Sequence, residues 1–81
     1  MSKLTDASKK KALCARLARV EGQLRGVQRL IDEEADCEAI AQQLAAARKA
    51  LDKSFFTMVG CMLEQGNLPG ERVAQMLAKF G

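Results

Sequence analysis

Cys37 and Cys61 are the residues of this chain whose type and spacing could support chemistry. They lie 24 residues apart on one predicted helix, in a sequence of 81 residues with three cysteines and no histidine. At a rise of about 1.5 Å per residue they are roughly 36 Å apart, so the two thiols of one chain cannot meet. An antiparallel second copy of the helix, crossing near Lys49, would bring Cys37 of one subunit to Cys61 of the other. The spacing therefore predicts a thiol site between subunits.

The setting of the cysteines limits what they can do. The N-terminus is polar, and the sequence has no apolar run of the roughly 18 residues that a membrane crossing needs. We therefore expect a cytoplasmic protein without a membrane partner and without structural disulfides. Free thiols in such a protein act as core residues, soft metal ligands or redox centres. Cys14 falls on the side of the first predicted helix away from its apolar residues, and we interpret it as incidental.

The charge of the chain is unevenly distributed. Residues 1–31 contain eight Lys and Arg residues and two acidic residues, which gives a charge of +6. Residues 32–81 contain five Lys and Arg residues and eight acidic residues, which gives a charge of −3. This asymmetry favours a polyanionic partner for the N-terminal part, most simply nucleic acid. The alternatives are a solvated helix face and a helical-bundle scaffold that binds an acidic protein. No histidine, serine triad or phosphate-binding glycine loop is present, so we predict that the chain is not an enzyme.

The apolar pattern predicts an all-α chain with two long antiparallel helices and a short third one. The predicted helices span about 8–34, 37–65 and 69–80 of a single domain, residues 1–81. Spacings alternate between three and four residues, as in helices that pack side by side. The apolar seams are Leu13, Leu17, Val20, Leu24, Val27 and Ile31, then Cys37, Ile40, Leu44, Ala47, Leu51, Ser54, Met58 and Cys61. One copy of so small a domain cannot cover such faces, so we expect an oligomer.

One segment carries a family resemblance. Residues 16–26 read RLARVEGQLRG and resemble the RLxRxEGQxRG signature of the CsoR/RcnR/FrmR family of bacterial repressors, which sense metals, formaldehyde or sulfur species. The resemblance covers about residues 9–65, with Cys37 at the family's near-invariant cysteine. It implies a dimeric four-helix bundle that assembles into a disc-shaped tetramer and holds operator DNA through basic residues. The DNA contacts it suggests are Lys9, Lys10, Lys11, Arg16, Arg19, Gln23 and Arg25.

The chain departs from the metal-sensing members of the family. Those members have a histidine 25 residues after the cysteine and a further ligand four beyond, where this chain has Met62 and Gly66. Cys61 lies one residue before the histidine position. Typical copper sensors have tyrosine where this chain has Asp36. These differences argue against the usual copper site and against nickel or cobalt.

Three reactions remain open for the cysteine pair. In the first, Cys37 attacks a persulfide or polysulfide and Cys61 of the neighbouring subunit resolves it. In the second, the two thiolates are metal ligands for linear Cu(I), the one cofactor we consider, with Met62 as an extra ligand. In the third, Cys37 traps an aldehyde. We favour a repressor released by sulfur species; the plain alternative for Cys61 is packing in the core.

Overall fold

The chain forms a long helical hairpin with a short third helix. A computed structural model describes residues 3–65 and 70–80, which contain α1 (Ala7–Asp32), α2 (Cys37–Gln65) and α3 (Gly70–Phe80) and no strand. The prediction of an all-α chain is confirmed for these residues. The predicted start of the third helix at residue 69 lies outside them. No helix in this part of the chain is both long and apolar enough to cross a bilayer.

Both long helices begin at aspartate caps. The Asp6 carboxylate accepts a hydrogen bond from the backbone N–H of Lys9 at 3.0 Å. The Asp36 carboxylate accepts one from the N–H of Glu38 at 3.1 Å. These bonds satisfy backbone donors that have no partner inside the helix. Asp6 is therefore the N-cap of α1.

The first helix ends at Asp32, two residues before the predicted end near residue 34, because the chain leaves the helical region there. Glu34 has a φ of 56°, in the left-handed region. The N–H of Glu34 donates to the carbonyl of Ile31 at 3.1 Å, and the N–H of Ala35 donates to that of Leu30 at 2.9 Å. This bond pattern ends a helix and turns the chain sharply. It returns α2 alongside α1.

Each predicted seam divides into two rows of residues seven apart. One row on each helix faces the other helix of the same chain and is buried. The buried rows contain Val20 and Val27 on α1, and Ala47, Ser54 and Cys61 on α2. These small and β-branched side chains let the two helices approach closely. The core of the hairpin is therefore narrow, and the molecule measures 48 × 28 × 15 Å.

The second row on each helix remains exposed, and together these rows form what we call the apolar face. It contains Leu17, Leu24 and Ile31 from α1, and Cys37, Leu44 and Leu51 from α2. The five large side chains among them are 38–55% exposed. Shallow grooves of about 310 and 200 Å³ run between the two helices on this side. One copy of the chain leaves this face uncovered.

The third helix packs on α2 and not on α1. Val73 is buried, and Met76 and Leu77 are partly buried on the same side of α3. Val59 of α2 is buried as well, although it lies away from the row that faces α1. We infer that α3 covers this part of α2. Val73, Met76 and Leu77 therefore form the apolar side of α3.

Candidate functional sites

A cleft between α1 and α2 lies on the side of the hairpin away from the apolar face. Its volume is about 360 Å³, and its lining residues, which we call the basic cleft, are Arg16, Arg19, Gln23, Ala46, Lys49, Ala50 and Lys53. On each helix they are spaced three or four residues apart, so they share one side. Lys49 is five residues from Leu44, which is about 140° around the helix. The two faces therefore point in nearly opposite directions.

The charges of the basic cleft have no counter-ions within the described residues. Its four cations, two from each helix, are Arg16, Arg19, Lys49 and Lys53. The ion pairs in this part of the chain are elsewhere: Lys9 with Glu64, and Arg25 with Glu21 at 4.0 Å. No acidic residue lines the cleft. The cleft is therefore a concentrated positive site that suits an anionic ligand.

The structure brings together three of the seven residues predicted to contact DNA. Arg16, Arg19 and Gln23 line the basic cleft. Lys10 and Lys11 are exposed near the start of α1 and do not line it. Lys9 points to α2, where its ammonium pairs with the Glu64 carboxylate. The cleft of a single chain therefore contains only part of the predicted set.

Arg25 also lies outside the basic cleft. It lines a separate shallow site with Glu21, Leu24, Val27 and Gln28. Its guanidinium is 4.0 Å from the Glu21 carboxylate, one helical turn away. Both side chains are largely exposed, so this pair contributes little to stability.

Lys49 and Lys53 are cleft residues that the sequence analysis missed. The charge sum placed them in the acidic part of the chain, residues 32–81. The sequence feature that could have identified them is their spacing. Ala46, Lys49, Ala50 and Lys53 lie on one side of their helix at intervals of three and four residues, as Arg16, Arg19 and Gln23 do on theirs. Only the antiparallel hairpin places these two stripes side by side.

Gln23 has an unusual environment in the wall of the basic cleft. Its Oε1 atom is buried, and no donor within the described residues reaches it. A buried carbonyl oxygen without a partner is destabilising.

The three cysteines occupy three different environments. Cys37 is exposed at the first residue of α2, within the apolar face, and Cys14 is exposed on α1. Cys61 is only 7% exposed, in the row that faces α1. The structure therefore separates Cys37 and Cys61 into neighbouring rows, where the sequence pattern shows a single seam. Three residues of offset correspond to about 60° around the helix.

Lys9 connects the buried cysteine to the N-terminal end of α1. Its pKa is raised above the ordinary 10.5 mainly because its ammonium donates a hydrogen bond to the Glu64 carboxylate. The charges of Glu64, Cys61 and Asp6 also raise it, and desolvation opposes them. Lys9 thus lies close to Cys61. The ion pair and the buried cysteine lie together at the open end of the hairpin.

A metal site within one chain is not supported by the described residues. Histidine is absent from the sequence. In residues 3–65 and 70–80, no group of three or more Cys, Asp or Glu side chains is arranged to hold a metal ion.

Comparisons with known proteins agree with the signature in α1. The family model described as metal-sensitive transcriptional repressor matches residues 9–78, which includes all of α2 and most of α3. No significant match to the chain was found among curated proteins or among solved structures. The matched family consists of transcriptional repressors and not of enzymes. Because the match covers most of the sequence, the chain belongs to the metal-sensitive transcriptional repressor family, the CsoR/RcnR/FrmR family.

Proposed function

We propose that this protein represses transcription by binding operator DNA through the basic cleft, and that a reaction at Cys37 and Cys61 releases the DNA. The observation that carries the proposal is the cleft itself. Four cations from two helices converge there without counter-ions in the described residues. Together with the family assignment, such a site favours DNA phosphates as the ligand.

A second copy of the chain is the proposed partner of the apolar face. Its leucines are about half exposed in one copy, at spacings that suit helices packed side by side. Two hairpins joined through this face would form an antiparallel four-helix bundle from two single-domain chains, residues 1–81. The basic clefts would then lie on the outer surfaces of the dimer. This leaves the cations of both copies accessible to DNA.

A second set of exposed apolar residues supports further assembly. Phe56 and Leu63 of α2 and Phe80 of α3 are exposed. Phe56 lies 12 residues from Leu44, about 120° around α2, so the dimer proposed above would leave it uncovered. We propose that these residues join two dimers into the disc-shaped tetramer. The tetramer would work in the cytoplasm.

The basic cleft would hold DNA through its phosphates and not by reading bases. Arginine and lysine side chains from both helices supply several charge-assisted hydrogen bonds to phosphate oxygens. Lys10, Lys11 and Arg25 lie outside the cleft, where they would extend the contact along the backbone. Lys9 would join them if its pair with Glu64 opened. Binding of this kind weakens steeply as salt is added.

The proposed signal is a sulfur species that carries sulfane sulfur, such as a polysulfide. The exposed Cys37 thiolate attacks a sulfur atom of the polysulfide, forms a persulfide and releases a chain one sulfur shorter. The thiolate of Cys61 from the other subunit then attacks the Cys37 sulfur, which forms a disulfide and expels hydrosulfide. The two electrons lost by the thiolates leave on the reduced sulfur products.

The burial of Cys61 suggests how the cysteine reaction would weaken DNA binding. Cys61 faces α1, so a bond from it to another subunit must disturb the packing of α1 on α2. The two walls of the basic cleft belong to these same helices. A change in their spacing separates the arginines of α1 from the lysines of α2, which weakens phosphate binding.

Cu(I) is a second candidate signal, and the description of the family as metal-sensitive favours it. Two thiolates from different subunits can hold Cu(I) in linear geometry. Cys37 and Cys61 would be its ligands. This alternative uses the same inter-subunit geometry and differs in leaving no covalent adduct.

The experiment measures DNA binding and intact mass in parallel. Binding to the protein's own promoter fragment is measured for wild type, Cys37→Ala and Cys61→Ala, with Cys14→Ala as the matched control. Each protein is measured before and after treatment with polysulfide, Cu(I) or formaldehyde. We expect binding at low salt, release by polysulfide, and loss of that response in the first two variants only. A crosslinked dimer supports the sulfur reaction, whereas bound Cu(I) without an adduct favours the metal. Failure to bind promoter DNA at low salt would overturn the repressor in favour of a scaffold for an acidic protein.

A further inference from the structure

We propose that the basic cleft is also a binding site for a compact oligophosphate, of which inorganic pyrophosphate is the smallest, and that this ligand competes with DNA. The proposal goes beyond operator binding and shares only the cleft residues with it. It concerns the shape of the cleft and the number of its charges. Both point to a small multivalent anion.

The first argument is the charge of the basic cleft. Two arginines and two lysines surround one recess, and no ion pair within the described residues neutralises them. Four like charges held close together repel one another. A DNA phosphate brings one negative charge to a given point of the backbone, whereas pyrophosphate carries about three within a few ångströms. A compact anion therefore neutralises the cleft more completely than a single phosphodiester.

The second argument is the shape of the basic cleft. It is a half-open groove of about 360 Å³ between two packed helices. Ala46 and Ala50 contribute its small side chains, which leave room between the long cationic ones. A DNA duplex laid across the hairpin touches the rim of such a groove. A small anion can enter it and meet cations from both helices at once.

The test is calorimetric titration of the intact protein with sodium pyrophosphate, with sodium sulfate at matched ionic strength as the comparison. We expect saturable binding of pyrophosphate and weaker binding of sulfate. Lys49→Gln and Lys53→Gln should each weaken pyrophosphate binding by about fivefold or more, as expected for the loss of a charge-assisted hydrogen bond. Arg29→Gln and Lys79→Gln remove the same charge outside the cleft and should change it by less than about twofold.

Displacement of fluorescent promoter DNA by pyrophosphate then tests the competition. The proposal fails if pyrophosphate displaces DNA no better than sulfate at matched ionic strength, or if the cleft variants and the control variants behave alike. Calorimetry without DNA separates this outcome from the fate of the repressor. Pyrophosphate binding by a protein that binds no promoter would overturn operator binding, and the competition with it, while the pyrophosphate site stands. Promoter binding without a pyrophosphate site would overturn this inference alone.

Discussion

Lys9 and Glu64 form an ion pair that joins the first turn of α1 to the last turn of α2. The Nζ–Oε2 distance is 2.5 Å, and the Lys9 side chain is 28% exposed against 66% for Glu64. The turn at residues 33–36 closes the other end of the hairpin. The pair therefore holds together the end that has no covalent connection, next to the buried Cys61.

This pair predicts a stability difference that disappears at alkaline pH. Glu64 holds the pKa of Lys9 above its ordinary 10.5, so protonated Lys9 stabilises the folded state. The contribution is complete below pH 10.5 and is lost as the pH rises through the raised pKa. Urea unfolding of wild type and Lys9→Met should differ most below that pH and converge above it.

The matched control for that experiment is Lys10→Met. Lys10 is the next residue of α1, is exposed, and forms no ion pair within the described residues. The free energy of unfolding of Lys10→Met should differ less from that of wild type, and this difference should not disappear as the pH rises above 10.5. A difference for Lys9→Met that stays constant through the alkaline range would mean that the ion pair does not stabilise the hairpin.

Gly22 provides a test of which surfaces a second copy covers. A Cβ atom at this position of α1 meets nothing within 4 Å in one chain. Gly22→Ala should therefore stabilise the helix by up to about 1 kcal/mol, because alanine loses less backbone entropy. The free energy of unfolding from urea titration checks this. Destabilisation instead would show that another subunit packs directly against Gly22 in the assembly.

Much of the helical framework was predictable because it depends on local chemistry. Apolar residues at spacings of three and four require a helix with one buried side, and Asp6 and Asp36 are strong caps. The end of α1 was less predictable because it depends on Glu34 in a left-handed conformation, which the sequence favours only weakly. Glycine or asparagine is the usual residue there.

The functional surfaces were harder to predict because an apolar seam does not show whether each residue packs against the other helix of the same chain or against another subunit. Leu44 and Ala47 lie three residues apart on one seam, yet the first is exposed and the second is buried against α1. The same ambiguity placed Cys37 and Cys61 on one stripe. Lys49 and Lys53 could be assigned to a cleft only once the hairpin set them beside Arg16 and Arg19.

Leu44→Asp should dissociate the proposed dimer. Leu44 is 48% exposed in one chain, so a charge there costs the isolated hairpin little. In a dimer it would be buried, and each lost leucine contact weakens association by about 1.5–3 kcal/mol before the burial of charge is counted. Sedimentation equilibrium measures the change.

Gln42→Asp is the control for this variant. Gln42 is exposed and lies two residues away, about 200° around α2 from Leu44. It introduces the same charge on the other side of the helix and should leave the dimer intact. An unchanged mass for Leu44→Asp, or equal dissociation of both variants, would show that the apolar face is not the dimer interface.

The double variant Lys49→Gln, Lys53→Gln should lower the salt dependence of DNA binding. Each phosphate contact contributes about 0.9 to the slope of log K against log salt concentration, so two lost contacts lower it by about 1.8 per subunit engaged. Fluorescence anisotropy across a salt series measures the slope. Arg29→Gln should leave it unchanged, and equal slopes for the double variant and wild type would remove the lysines from the interface.

Cys61 should react with iodoacetamide more slowly than Cys14 in the native protein. Cys14 is exposed, whereas Cys61 reacts only when α1 moves away from α2. We expect a rate difference of at least about tenfold, which corresponds to an opening free energy of about 1.4 kcal/mol. Peptide mass spectrometry over time measures both rates, and the difference should vanish in urea. Lys9→Met should raise the Cys61 rate, since the ion pair no longer holds the helix ends together. Equal native rates would place Cys61 at an open surface and make it, like Cys37, a candidate for the first attack on a sulfur species.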